Sequence, residues 1–291
     1  RIVYVSSHGF AGEYSGSTFG HSVSPVAKQD GSMQRDYWYS STRKFADLES
    51  SEHVGKRAAE RVLRRLGGRK VKTCEVPVVF DPEMAASLIR SLASAISGYA
   101  LYKGASFLAG KLGEKIGSGL LTVIDDGTIV GAHGSRPFDA EGLPIKKKIV
   151  VEKGELKSYL LDTYSGKKLG MPSTGNASRS VGEPPGVSPA NFYLSPGAQK
   201  PQEIIGSIKS GLYVTEMIGS GVNMITGDYS RGAAGLWIEN GELAYPVEEI
   251  TVAGNLKEMF HDIEMVGNDL EMRGRIAAPT LKLAKMTVAG E

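Results

Sequence analysis

The sequence predicts an α+β fold: a helix-bearing N-terminal part followed by a β-rich, antiparallel, barrel- or sandwich-like C-terminal domain. Three observations carry this. Apolar residues at helical spacing are concentrated before residue 118. Beyond it, short runs rich in Val, Ile and Tyr recur between glycines. Asn240-Gly241 separates two apolar-alternating segments, and this dipeptide suits a type I′ hairpin turn, whose central residues both need φ > 0. The expected division is therefore 1–118, the remainder of an N-terminal α/β domain, and 119–291, a β-rich C-terminal domain.

Taken in order, residues 1–45 read as β. "STFGHSVSPVA" alternates, with Phe19, His21 and Val23 on one face, and "MQRDYWYSSTR" offers an aromatic partner strand. In "SEHVGKRAAERVLRRL" the residues Val54, Ala58, Val62 and Leu66, with Ala59 and Leu63, line one helical face, and Gly67-Gly68 stops it. "TCEVPVVF" is a short strand. Asp81-Pro82 then supplies an N-cap and a first-turn proline for the helix "EMAASLIRSLASAIS". A further helix is expected over "GASFLAGKLGEKI". From Leu120 the strand-like runs are "LLTVIDDG", "KKIVVEKGELKSYLLD", "NFYLSPG", "LYVTEMIG", "GLWIENGELAYPVEEITVAG" and "TLKLAKMTVAG". Two short helices, "PQEIIGSIKS" and "NLKEMFHDIEMVG", interrupt them, and "STGNASRSVGEPPGVSPA" is a polar loop.

Bulk properties exclude several classes. A net charge of +2 gives no global attraction to nucleic acid or an acidic membrane. Cys74 is the single cysteine, so no disulfide within the chain and no Cys-rich zinc module can form; this usage fits a reducing cytoplasm. No apolar run reaches the roughly 18 residues of a spanning helix. The chain opens directly on the strand-like "RIVYVSS", the expectation being that upstream sequence belongs with it.

Residue chemistry supplies few reactive groupings. His8, His21, His53, His133 and His261 share no helical turn, so HExxH-type metal spacing is absent. Cys74 reads as a packed strand thiol. Neither a GxSxG elbow nor a phosphate-binding glycine motif occurs. Asp125-Asp126 and Asp139 with Glu141 could hold a hard cation, but "DDGT" and "DAEG" are ordinary turn sequences. Lys56–Lys72 carries eight Lys/Arg against Glu60 alone; the wet side of an amphipathic helix explains it better than phosphate binding, since no aromatics interleave. Asn176-Ala177-Ser178 matches a glycosylation acceptor, a tripeptide common by chance.

"TGDYSRGAAGLWIENGELAYPVEE" is the richest stretch. Asp228, Ser230 and Arg231 could serve a nucleophile, but no histidine lies nearby to act as base. A glycine-rich edge is also what an extended peptide would pair with by strand addition. Substrate binding is therefore assigned to Gly221, Asn223, Asp228, Ser230 and Arg231, and no catalytic residue is assigned.

A colinear series of motifs adds to this reading. "MQRDYWYSS", "CEVPVVFDPEMAASLI", "VIDDGT", "FDAEGLP", "LLDTYSGKKLGMPSTGNASR", "PQEIIGSIKSGLYV", "GSGVNMITGDYSRGAAGLWIENGELAYPVEEITVAGNLKEMF", "MVGNDLE" and "PTLKLAKMTVAG" occur in order. The chain thereby resembles the TldD/PmbA family, in its PmbA (TldE) branch, over essentially its whole length. The resemblance implies a missing N-terminal α/β region and a cytoplasmic two-subunit peptidase. In it a TldD-type subunit holds zinc on an HExxxH helix with a further cysteine, while the TldE-type subunit helps enclose unfolded peptides. Older family naming adds modulation of DNA gyrase.

By position, the HExxxH helix corresponds to about Ile89–Ser94, where Ile89, Arg90, Ser91 and Ser94 stand in place of two histidines and a glutamate. "GNDLEMRGRIAAPTLKL" has no cysteine. Serine and arginine cannot replace imidazole and thiolate on zinc. The expectation is a non-zinc subunit with no metal or cofactor of its own, paired as a heterodimer with a zinc-bearing TldD-type partner. A homodimer in isolation stays open, and neither membrane nor nucleic acid is an expected partner. Two alternatives stand beside it: a regulatory binding protein without proteolysis, and a stand-alone non-metal peptidase using Ser230, Asp228 and Arg231.

Overall fold

A computed structural model describes residues 1–291. The N-terminal segment forms three antiparallel two-stranded ribbons: Ile2–Val5 with Ala11–Tyr14, Phe19–Val23 with Trp38–Thr42, and Val26–Gln29 with Ser32–Arg35. The helix Ser51–Leu63 starts where the Ser50 hydroxyl accepts the His53 amide. It buries Val54 and Ala58 against Trp38, the apolar stripe expected from their spacing.

The chain then enters a closed barrel. Cys74–Phe80 pairs in parallel with Ser210–Ile218, which pairs with Asp228–Glu239, then Glu242–Asn255, then Leu281–Ala289, and this last strand returns to Cys74–Phe80. Ile263–Val266 attaches outside the ring to Leu281–Ala289. Asn240 and Gly241 take φ of 50° and 83°, the expected type I′ signature joining two barrel strands. A second sheet, of five strands, runs in the order Glu155–Leu156, Lys147–Glu152, Val123–Asp126, Phe192–Leu194, Ile276–Ala277.

The helix Pro82–Ala95 bridges the two sheets. Asp81 caps it, accepting the Met84 amide at 2.8 Å, with Pro82 in the first turn. Ala85, Leu88, Ile89 and Leu92 are sealed from solvent, and one core of 41 buried residues runs from the barrel (Val78, Leu212, Val252, Leu283) through this helix to Val123, Val151 and Phe192. Residues on both sides of position 118 thus share one core and one barrel.

The helix expected over "GASFLAGKLGEKI" does not form. A short helix, Gly98–Tyr102, ends instead where Gly104 adopts φ 65°, and Gly110 and Gly113 follow at 76° and 82°. Left-handed glycines break the ladder that the apolar spacing suggested. The segment is instead held by hydrogen bonds to other loops, among them Gly113 N to Leu156 O and Ile116 N to Gly154 O.

Candidate functional site

The five residues assigned to substrate come together on one small hairpin. Gly221–Asn223 folds back on Asp228–Ser230: Ser230 N donates to Gly221 O at 2.7 Å and Asn223 N to Asp228 O at 2.8 Å. A Cβ on Gly221 would sit 1.8 Å from Ser230 O, so only glycine permits this approach. Tyr229 points into the core, which puts Asp228 and Ser230 together on the exposed face. The Asp228 carboxylate accepts the Thr226 hydroxyl and Asn255 Nδ2, bonds that hold its pKa below the usual range. It is thus oriented by neighbours other than Ser230. Arg231 lies beside Tyr229; its Nε is buried without a hydrogen-bond partner, and burial pushes the Tyr229 hydroxyl up to about 12.

This arrangement can bind but does not activate a nucleophile. Asp228–Glu239 is already paired on both sides. A peptide strand added here would run along the outer side of the folded-back Gly219–Asn223.

The helix position implied for zinc is equally plain. Ile89 is wholly buried in the core. Ser91 Oγ donates to Ser87 O and Ser94 Oγ to Arg90 O, so both hydroxyls are bonded to their own helix. Arg90 is exposed and cationic. No group of three or more His, Cys, Asp or Glu side chains is placed to hold a metal ion. The residues present do not fit a zinc centre. Cys74 adds nothing, since burial raises its thiol pKa, the opposite of the lowering that makes a reactive thiolate. Of the acidic pairs, Asp126 and Asp139 do serve local turns, Asp126 Oδ1 accepting Thr128 N and Asp139 Oδ1 accepting Glu141 N. Asp125 is instead a sealed strand residue facing Lys148 at 3.2 Å and Asn176 Nδ2 at 2.8 Å.

Sequence reasoning missed a large concavity, a cleft of about 870 Å³ between the Ser51–Leu63 helix with Trp38–Thr42 and the first turns of Pro82–Ala95 with residues 269–280. At its base Arg61 meets Asp36 (3.1 Å), Asp81 (3.7 Å) and Glu83 (3.6 Å). Burial pulls the Arg61 pKa down, but these three carboxylates outweigh it and leave it raised. Burial pushes Asp81 up to about 7: Arg61 is committed to Asp36 and its approach to Asp81 is too long to offset the lost hydration. Burial also drives Tyr37 up to about 12. Arg57, Arg61 and Arg273 surround the Trp38 ring at 5.4, 5.2 and 4.5 Å. The signal was present in "RDYWY" and in arginines three to four residues apart along one helix. The same geometry accounts for the basic stretch: Lys56 pairs with Glu52, Arg57 with Glu60, Arg65 with Glu216, Lys70 with Glu249. Few of its charges are free for phosphates.

Comparison with known proteins agrees with this fold. Residues 1–66 match the model of a PmbA/TldA metallopeptidase central domain and residues 73–290 that of a PmbA/TldA metallopeptidase C-terminal domain. The metalloprotease PmbA of Escherichia coli O157:H7 is 39% identical over 289 residues, 99% of this chain and 62% of that protein. A crystal structure from Bacteroides thetaiotaomicron, of a protein named as a candidate modulator of DNA gyrase, superposes with a TM-score of 0.90 at 33% identity, covering 98% of this chain and 63% of that one. TldE from Thermococcus kodakarensis superposes at 0.86 with 26% identity, covering 98% and 65%. The chain therefore spans somewhat under two thirds of the relatives it matches. No helix is long and apolar enough to cross a membrane. On these grounds the chain belongs to the PmbA/TldD metallopeptidase family, in its PmbA branch.

Proposed function

We propose that this chain is the non-zinc subunit of a TldD/TldE-type cytoplasmic peptidase, forming one wall of a chamber for unfolded peptides and an interface for a zinc-bearing TldD-type partner. One observation carries the reading. The family fold is kept along this chain, yet the helix position implied for the metal holds buried Ile89, cationic Arg90, and Ser91 and Ser94 bonded to their own helix, none of them a zinc ligand. The cofactor and the water-activating base would then come from the partner. The hairpin bearing Gly221, Asn223, Asp228, Ser230 and Arg231 supplies backbone and polar groups to an extended substrate.

The test is to purify the chain metal-free, reconstitute it with zinc, and assay an unstructured peptide with this chain, its zinc-bearing relative, and the pair. The expected result is no stoichiometric zinc and no cleavage by this chain alone, with activity in the pair. Tightly held zinc, or cleavage by this chain alone, overturns the reading. A second reading, a regulatory protein that binds a macromolecule without proteolysis, is favoured by the naming of the Bacteroides relative. It predicts a defined complex with a topoisomerase and no peptide cleavage in any combination. A stand-alone peptidase built on Ser230 gains no support, because Asp228 is turned to Thr226 and Asn255.

A further inference from the structure

The cleft over Trp38 carries more cation than its own acids neutralise. Arg61 is matched by Asp36, Asp81 and Glu83, and Arg273 by Glu49 and Glu271, each at 2.7 Å. Lys56 and Arg57 pair along their helix, and Asp269 is taken up by Thr280 through N at 3.0 Å and Oγ1 at 2.7 Å. Three lining arginines remain: Arg64, Arg90 and Arg275 have no carboxylate within 4.0 Å. The Arg275 charge lies near enough to Arg136 to help burial lower the Arg136 pKa.

Arg64 is the most confined of the three. It closes the Ser51–Leu63 helix, sits half-buried beside Arg61, and its guanidinium makes no hydrogen bond. Its Nε is fully buried without a partner, as is the indole Nε1 of Trp38 in the same cleft. Both are donors wanting an acceptor; the orphan acceptor nearby, Glu83 Oε2, already faces Arg61. A half-buried guanidinium left without an anion is costly, and its planar fork matches a carboxylate through two parallel bonds. Tyr37, Tyr39 and Tyr213 supply aromatic wall on either side. The cleft volume of about 870 Å³ is that of a site for a few residues rather than a single ion.

We propose that this cleft captures the C-terminal carboxylate of an extended peptide on Arg64, with Arg90 and Arg275 as the other lining arginines free of a carboxylate partner. The inference rests on the peptide-chamber reading and adds polarity to it: the substrate enters this wall tail first. It assigns the cleft a ligand distinct from the hairpin at Gly221–Arg231, which would meet the peptide backbone.

Trp38 and Trp237 are the two tryptophans, so Trp237→Phe leaves Trp38 as a fluorescent reporter in the cleft. The 291-residue chain is titrated with a short unstructured peptide bearing a free C-terminus, the same peptide amidated, acetate, and inorganic phosphate. The free-acid peptide is expected to bind at least tenfold more tightly than the amide, with Arg64→Gln removing that preference. The Arg64 side chain makes no internal hydrogen bond, so this variant should keep its melting curve; if it does not, Arg90→Gln carries the same comparison. Equal binding of acid and amide at Trp38 overturns the carboxylate site but leaves the peptide chamber standing. Acetate binding that is lost in Arg64→Gln, without any peptide binding, overturns peptide capture and leaves only a site for small carboxylates. Phosphate outcompeting the free-acid peptide, or no response to any probe, overturns the proposal.

Discussion

Arg61 donates through Nε to Asp36 Oδ1 at 3.1 Å, with both side chains all but sealed from water, and this bond ties the N-terminal ribbons to the helix that faces the barrel. The pair has little value as an isolated attraction, since desolvation offsets most of its Coulomb energy; removing one member is another matter. Asp36→Ala leaves the guanidinium with Asp81 and Glu83 at longer range. A loss of about 3 kcal/mol is expected in urea unfolding. The variant Asp36→Ala/Arg61→Met should recover much of it, and failure to recover would show that the pair holds more than charge.

Asp81 gives the cleft a pH dependence. Its carboxyl moves from 3.8 to about 7 on folding because burial disfavours the charge. At pH below both values the group is protonated in either state. Between them the folded chain keeps a proton that the unfolded chain has released, so stability falls as pH rises from 4 to 7 and is level above that. Asp81→Asn keeps the helix cap to Met84 and removes the titration. It should match the parent near pH 4 and exceed it above pH 7 by on the order of 1–3 kcal/mol, as read from urea midpoints.

Gly221 tests the substrate hairpin. Gly221→Ala places a methyl 1.8 Å from Ser230 O, which must open the Gly221–Ser230 bond. Loss of hydrogen-exchange protection at Ser230 N is expected, with the barrel's protection kept. Peptide cleavage by the reconstituted pair should fall at least tenfold.

Asn176 is fully buried. Its Nδ2 donates to Asp125 Oδ2, while its Oδ1 accepts Lys148 Nζ and the Thr174 hydroxyl, both at 2.7 Å. It therefore has no atom to offer a glycan. Asn176→Ala takes one donor from the buried Asp125 carboxylate, which keeps Lys148 and the Ala190 amide, and takes an acceptor from Lys148 and Thr174; it should cost about 2–3 kcal/mol by thermal or urea unfolding.

Metal removal should leave the chain alone unmoved. With no ligand cluster to empty, excess chelator is expected to change its melting temperature by less than about 1 °C. A clear drop would reveal a structural ion.

Local signals carried far in this sequence. Asp81-Pro82 capped its helix, Asn240-Gly241 turned its hairpin, and Val54, Ala58 and Val62 of the expected stripe are buried, Val54 and Ala58 against Trp38, while Leu63 is exposed. These depend on neighbours within a few residues. The barrel closure did not show, because Cys74–Phe80 finds Ser210–Ile218 and Leu281–Ala289 far along the chain, and no strand names its distant partner. Texture placed a division at residue 118, whereas the shared core runs across it. The "GASFLAGKLGEKI" segment had helical spacing, but its glycines sat where loop bonds required left-handed backbone. The candidate hairpin was legible from its glycines; the cleft was not, since its arginines, carboxylates and aromatics come from five separated stretches.

Ring closure by Leu281–Ala289 has a bearing on how the protein is made. This strand leaves the ribosome after every other barrel strand, and it alone joins Cys74–Phe80 to Glu242–Asn255. Until it emerges, the nascent chain holds an open sheet with two unpaired edges and an uncovered apolar face, the state most exposed to aggregation. Closure of the barrel thus waits for this strand, and those edges stay exposed until it has been made.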